Sequence, residues 1–250
     1  MSSVEMGDVS RTEIMIGAIT RMLQGLRHVA VGNSSPIPGS AALLARALSG
    51  GRLRVSLLGS RKHNAFTDGA RELFDCAAQG RIDAFFLSGG QIDGTANINL
   101  VGLGDYPQSK VRFPGSFGSA YLYHLVPRVI LFREEHSPRT LVPKVDFISA
   151  AGTSPDNEYR PGGPYALVTG LCVFAFDKER RQFQLESTHP GVSGADVKEA
   201  TGFVYSASDS VPETEPLDDD VIGLLRSEIA HQVAETYPGF AARTWGVSQT

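Results

Sequence analysis

Ile82-Asp83-Ala84-Phe85-Phe86-Leu87-Ser88-Gly89-Gly90-Gln91-Ile92-Asp93 is the run of residues that decides the fold class. Its first six positions are nearly all apolar, as expected of a strand covered on both faces. It then enters two adjacent glycines, a tight exit where backbone N–H groups approach a ligand with no Cβ between. Upstream, Leu53 to Leu58 is a second apolar strand candidate. A helix from about Asp68 to Gln79 lies between the two, with Leu73, Cys76 and Ala77 on its inner face. Nearer the start, Ser10-Arg11-Thr12-Glu13 reads as a capping box. Met15, Ile19, Met22, Leu23 and Leu26 then fall on one helical face at spacings of three and four. Val29 to Gly32 is a short strand candidate. The prolines of Asn33-Ser34-Ser35-Pro36-Ile37-Pro38-Gly39 exclude regular structure there, and a helix is expected from about Ser40 to Leu48. Strand, helix, strand, helix, strand at this spacing predicts βαβ units and an α/β class with a mainly parallel sheet flanked by helices.

The second half adds further strands, Val129–Phe132, Val145–Ile148, Cys172–Phe176 and Phe183–Leu185, joined by loops rich in glycine and proline. Helices are expected around Glu199 and over Val221 to Ala230, the latter with Asp218, Asp219 and Asp220 at its positive N-terminal end. Arg139 to Lys144 is a crossing point between the halves, and no repeat or domain boundary interrupts 1–250, which reads as one domain.

At 250 residues the chain is long enough for a full core. Its 42% hydrophobic and 20% charged content is that of a globular protein. The net charge of -4 argues against a nucleic-acid partner. Two cysteines, Cys76 and Cys172, stand far apart in apolar surroundings, which fits a reducing cytoplasm and core positions rather than a disulfide or zinc site. Glu5 and Asp8 interrupt the leading segment, unlike a signal peptide, and no apolar run approaches the ~20 residues of a membrane span. The histidines lack HxH or HExxH spacing, so no metal is expected.

A second glycine-rich turn, Phe113-Pro114-Gly115-Ser116-Phe117-Gly118, sits between the basic Lys110 and Arg112 and the aromatic Tyr121 and Tyr123. It is read as the start of a helix whose amides face an anion, or as a plain glycine turn. Tyr121 and Tyr123 are expected to pack across the sheet or at an interface. Gly102-Leu103-Gly104 lacks the third glycine of a dinucleotide fingerprint and no Walker GKS or GKT occurs, which excludes NAD and ATP motifs. At the first turn, Gly89 and Gly90 can stabilise a thioester oxyanion, while Asp93 can instead simply cap the turn.

In order, Gly89-Gly90-Gln91-Ile92-Asp93, Asn97 with Asn99, Gly104-Asp105-Tyr106, Phe113-Pro114-Gly115-Ser116 and Leu141-Val142-Pro143-Lys144-Val145-Asp146 resemble the β subunit of family I CoA-transferases. The similarity continues thinly through His189-Pro190-Gly191 and Ala200-Thr201-Gly202-Phe203. The resemblance implies a CoA-transferase-type fold and an acyl-CoA thioester substrate of a small dicarboxylic-type acid. It also implies an α-type partner subunit, in a heterodimer or heterotetramer, and no tightly bound cofactor, coenzyme A entering as part of the substrate. The implied substrate-binding set is Gly89, Gly90, Gln91, Asp93, Asn97, Gly115, Ser116 and Gly118.

The family's transferases attack the thioester with a glutamate shortly after an early strand. Leu57 stands at that position, and no Asp or Glu occurs between Gly50 and Thr67. Decarboxylation or hydrolysis, both known among relatives of the family, is therefore placed ahead of transfer. The alternatives are transfer with a carboxylate from the α-type partner, and a non-catalytic acyl-CoA or metabolite-binding module. In the adjoining Ser60-Arg61-Lys62-His63-Asn64, Ser60 and Arg61 are candidate substrate contacts. Lys62 is a candidate for holding a carboxylate or a CoA phosphate, and His63 for acid–base work.

Overall fold

The computed structural model describes residues 9–248; Glu5 and Asp8 lie outside the described residues. The chain opens with helix α1 (Arg11–Met22), strand β1 (His28–Val31), α2 (Pro36–Leu48), β2 (Arg54–Leu57), α3 (Gly69–Ala78) and β3 (Ala84–Leu87). Two small hairpins follow, β4 (Gln91–Ile92) with β5 (Ile98–Asn99) and β6 (Gly102–Leu103) with β7 (Val111–Arg112). The chain then forms α4 (Ser119–Leu125), β8 (Arg128–Arg133), β9 (Pro164–Thr169), β10 (Cys172–Asp177), β11 (Gln182–Thr188), α5 (Gly194–Ala200) and β12 (Ser206–Ala207). The described chain closes with α6 (Asp219–Leu224), a π-helical turn over Leu225–Ile229, α7 (Ala230–Thr236) and α8 (Pro238–Trp245).

Eight strands form one sheet in the order β2-β1-β3-β8-β9-β10-β11-β12. From β2 to β9 every pairing is parallel, and the β9–β10–β11 meander is antiparallel. Alternation along the strands sorts the core into two layers. Val29, Val31, Phe86 and Ile130 face α1, α2 and the closing helices, whereas Ala30, Phe85, Leu87, Val129 and Leu131 face α3 and α4. Burial on both sides explains why β1 and β3 are apolar at every position but one.

Several sequence expectations need correction. Prolines 36 and 38 do not exclude a helix: α2 starts at Pro36, because the first turn has no intrahelical acceptor for its N–H groups and proline's φ suits it. Val145–Ile148 is not a strand. Its backbone is held by side chains instead, the Asp146 amide donating to Gln91 Oε1 at 2.9 Å. The sequence reading does not include β9, although it lies at the centre of the sheet. The helix expected over Val221 to Ala230 is divided by the π-helical turn and continues to Thr236. Asp218 occupies the N-cap of α6 without a side-chain cap bond.

The capping box at α1 forms as read, and its Glu13 does more than cap. Its carboxylate, 2% exposed, accepts from the Ser10 amide and hydroxyl, from Arg226 Nε at 2.6 Å and Nη2 at 2.9 Å, and from Trp245 Nε1 at 3.3 Å. One carboxylate therefore ties the first helix to the π-helical turn and to α8. Burial opposes its charge, but the bonds from Arg226 and Ser10 outweigh burial and hold the carboxyl below its ordinary 4.5. A depressed carboxyl stabilises the folded state above its unfolded pKa and loses that contribution as pH falls. Glu13→Ala is expected to cost about 2–4 kcal/mol at pH 7, measured by urea unfolding. The two stability curves should converge below pH 4.5, and equal midpoints at pH 7 would contradict this role.

Candidate functional site

In a parallel sheet whose strand order reverses, ligands bind outside the carboxyl ends of the strands at the switch point. Here the chain runs from β1 to β2 on one side and returns to β3 on the other, so the switch point lies between β1 and β3. The exits at that end are Gly32-Asn33 after β1, Leu58-Gly59-Ser60 after β2 and Ser88-Gly89-Gly90 after β3. Gly59, at φ +90°, leaves its Cβ position to the side chain of Asn33, so the first two exits pack directly together. Tyr237 covers them, donating its hydroxyl to Gly32 O at 3.1 Å with its ring against Gly39. Burial pushes that phenol up to about 12, so it stays protonated.

Leu57, the position that the sequence resemblance assigns to the family's glutamate, is fully buried and lies against Gly39 of α2. The carboxylate that does reach this exit is Glu235, from α7. Its Oε2 accepts from Ser60 Oγ at 2.6 Å and its Oε1 from the Arg61 amide at 2.7 Å, with a further bond from Thr236 Oγ1. Ser60 Oγ in turn accepts from the Lys62 and His63 amides at 3.2 and 2.9 Å. Burial opposes the Glu235 charge, but the bonds from Ser60, Thr236 and Arg61 prevail and hold the carboxyl below its ordinary value. The sequence reading misses Glu235 and Tyr237, and nothing near them in sequence marks them: each acts on residues more than 170 positions away.

The two glycine turns meet. The Cβ position of Gly90 is filled by the ring of Phe113, which brings the second turn onto the first, and the Cβ position of Gly118 is filled by Phe74 of α3. The amides of Gly90 and Gly115 are committed to Asn99 O and Leu100 O at 2.9 and 3.1 Å. Gly115, at φ +107°, borders open space, and beside it Ser116 accepts from the Ser119 amide at the start of α4. Phe117 also takes a positive φ and is almost fully exposed. Ser119 carries a buried hydroxyl without a partner.

Gln91, Asp93 and Asn97 are engaged inside the turn. Gln91 Oε1 accepts from Asn99 Nδ2 and the Asp146 amide, and Asp93 accepts from Thr95, from the Asn97 amide and from Asn97 Nδ2. Tyr123 packs across the sheet, fully buried with its hydroxyl on Ala96 O at 2.9 Å, while Tyr121 stays half exposed beside Phe74. Ser60 and Arg61 stand at the exit of β2, which β1 separates from the glycine turns of β3. Two strand spacings make that roughly 10 Å. Lys62 and His63 turn further away, to a cavity beside β2 with Arg46 and Arg54. Burial and then the Arg46 charge push the His63 imidazole below its ordinary value, so it is neutral at pH 7. Cys76 and Cys172 are buried core residues, and burial raises the Cys172 thiol to about 12. Among the described residues no group of His, Cys, Asp and Glu is gathered to hold a metal, and no helix is long and apolar enough to cross a membrane.

Residues 13–200 match the family model described as Coenzyme A transferase. The chain is 36% identical over 141 residues to the B subunit of 3-oxoadipate CoA-transferase from Pseudomonas knackmussii, covering 54% of each chain. It is 34% identical over 151 residues to the B subunit of glutaconate CoA-transferase from Acidaminococcus fermentans, covering 58% of this chain and 56% of that one. These matches span about half the length of the curated relatives. Among solved structures, the decarboxylase AibA/AibB superposes with a TM-score of 0.76 at 24% identity, over 88% of this chain and 94% of the other.

If Glu235 holds the β2 exit as its bonds imply, Glu235→Gln weakens two charge-assisted contacts. The Arg61 and His63 amides should then exchange with deuterium roughly tenfold faster, while the amides of β1 are unchanged. Unaltered exchange at Arg61 would remove the clamp.

Proposed function

The chain belongs to the coenzyme A transferase family, and from that premise we propose that it is the β-type subunit of a heteromeric enzyme acting on an acyl-CoA thioester of a small dicarboxylic-type acid. The partner is an α-type subunit: the two curated relatives are themselves B subunits, of enzymes named for 3-oxoadipate and glutaconate. The reaction is decarboxylation or hydrolysis rather than CoA transfer, which needs a nucleophilic carboxylate that becomes an anhydride and then a thioester, where this chain carries Leu57. The observation that carries this reading is Leu57, apolar and 0% exposed at the end of β2. The same fold serves a decarboxylase in AibA/AibB.

In this reading the thioester lies across the crevice outside β1 and β3, with its carbonyl toward the Gly89 amide and its pantetheine along the open bend at Gly115 to Gly118. Glycine is needed at 90 and 115 for different reasons. A side chain at 90 collides with Phe113, and one at 115 is strained at a positive φ. Ser60 and Arg61, fixed by Glu235, form the wall on the β2 side.

The test uses the chain purified with its α-type partner and incubated with glutaconyl-CoA and excess acetate, the CoA species being followed by mass spectrometry. Free CoA, or an acyl-CoA lighter by carbon dioxide, is expected, and acetyl-CoA only from the Leu57→Glu complex. Acetyl-CoA from the unaltered complex would contradict the reading. Gly90→Val and Gly115→Val should each lower turnover by at least about tenfold, equivalent to about 1.4 kcal/mol in the barrier. Full activity in both variants would move the site elsewhere.

A further inference from the structure

The outer side of β2, away from the crevice, carries a concentration of charge that the functional reading leaves unused. A cavity of about 310 Å³ lies between the end of α2 and the 62–65 segment. Arg46, Arg52, Arg54, Lys62 and His63 line it together with Asn64, and among the described residues no acidic side chain does. Among the described residues none of the four permanent cations makes an ion pair. This is out of keeping with a chain whose net charge is -4. The two carboxylates whose fields reach this region are committed elsewhere: Glu72 to the Thr67 and Asp68 amides and the Thr67 hydroxyl, Glu235 to Ser60 and Arg61.

One polar atom at the cavity has no partner. Arg46 Nη1 lies 3.3 Å from His63 Nδ1, and since a guanidinium only donates, Nδ1 is the acceptor and Nε2 carries the proton. That Nε2–H is buried and makes no hydrogen bond. An uncompensated buried donor beside four unpaired cations is the arrangement expected where an anion supplies the missing acceptor.

We propose that this cavity is a binding site for a phosphate-dense small molecule, whose phosphate oxygens are held by Arg46, Arg54 and Lys62 and accept from His63 Nε2–H. Arg52 at the rim adds to the attractive field. Arginine suits the task because its fork meets two phosphate oxygens at once. The lining offers several phosphate-binding cations, so a molecule carrying two or more phosphates is the chemistry that fits, whether it is the nucleotide end of a CoA thioester or a free nucleotide. The site stands on its own charges and does not require the catalytic reading to hold.

Calorimetric titration of the full chain with adenosine 3′,5′-bisphosphate at 50 mM NaCl tests it. Saturable binding is expected, with affinity falling at least tenfold in the Arg46→Gln/Arg54→Gln variant and also between 50 and 300 mM NaCl. Lys178→Gln, an exposed cation on another surface, should bind as the unaltered chain does. The His63→Gln variant should lose several-fold, and the unaltered chain's His63 Hε2 resonance should shift on titration. Absence of binding, an unchanged affinity in the double variant, or an equal loss in Lys178→Gln would overturn the proposal. If binding holds, competition by an acyl-CoA assigns the site to the nucleotide end of the substrate, and simultaneous binding assigns it to a separate nucleotide. Failure of the anion site leaves turnover by the complex unaffected, so the two readings fail separately.

Discussion

Glu13, a carboxylate buried beneath the first turn of α1, holds Arg226 and Trp245 from the far end of the described chain. The closing helices are thereby docked over α1 and α2, which places Glu235, Thr236 and Tyr237 on the exits of β1 and β2. The contact acts together with the buried Leu225, Ile229 and Val233 to hold the segment whose Glu235 fixes Ser60 and Arg61. Burying a charge costs several kcal/mol unless it is paired and its oxygens are satisfied. The Ser10 and Arg226 bonds, with that from Trp245, meet this condition.

The apolar pattern is legible because strands covered on both faces leave few choices. β1, β2 and β3, and the inner face of α3, follow within a few residues from apolar runs and their spacing. The capping box at Ser10 is legible as well, because both of its partners lie within one helical turn. The second role of Glu13 is not, since Arg226 is 213 residues away and no local pattern marks the pair. The prolines before α2 mislead because proline both breaks a helix interior and suits its first turn, and only the structure distinguishes the two. Val145–Ile148 misleads because its apolar residues match a strand, while the Val145 and Asp146 amides donate to the side chains of Asp93 and Gln91.

At the site, the glycine turns are legible as a pair, and the structure supplies the reason for their pairing in the contact of Phe113 with the Gly90 backbone. Whether the polar residues of the first turn face a ligand is harder to read from sequence. Asp93 and Asn97 hydrogen-bond to each other and shape the turn. Lys62 and His63 follow an early strand at a suggestive position, yet the chain carries them around to the outer side of β2. Proximity in sequence to a strand exit does not decide on which side of the sheet edge a side chain emerges.

In the proposed function the choice of reaction rests on Leu57, because a leucine packed against Gly39 forms no covalent intermediate. The most direct measurement is the intact mass of both chains of the complex, trapped during turnover of an acyl-CoA. The expected result is that neither chain gains mass while the CoA species in solution changes. A gain of one coenzyme A less one water on either chain, the mass of a protein–CoA thioester, would show CoA held on the protein as transfer requires and contradict the assignment of decarboxylation or hydrolysis.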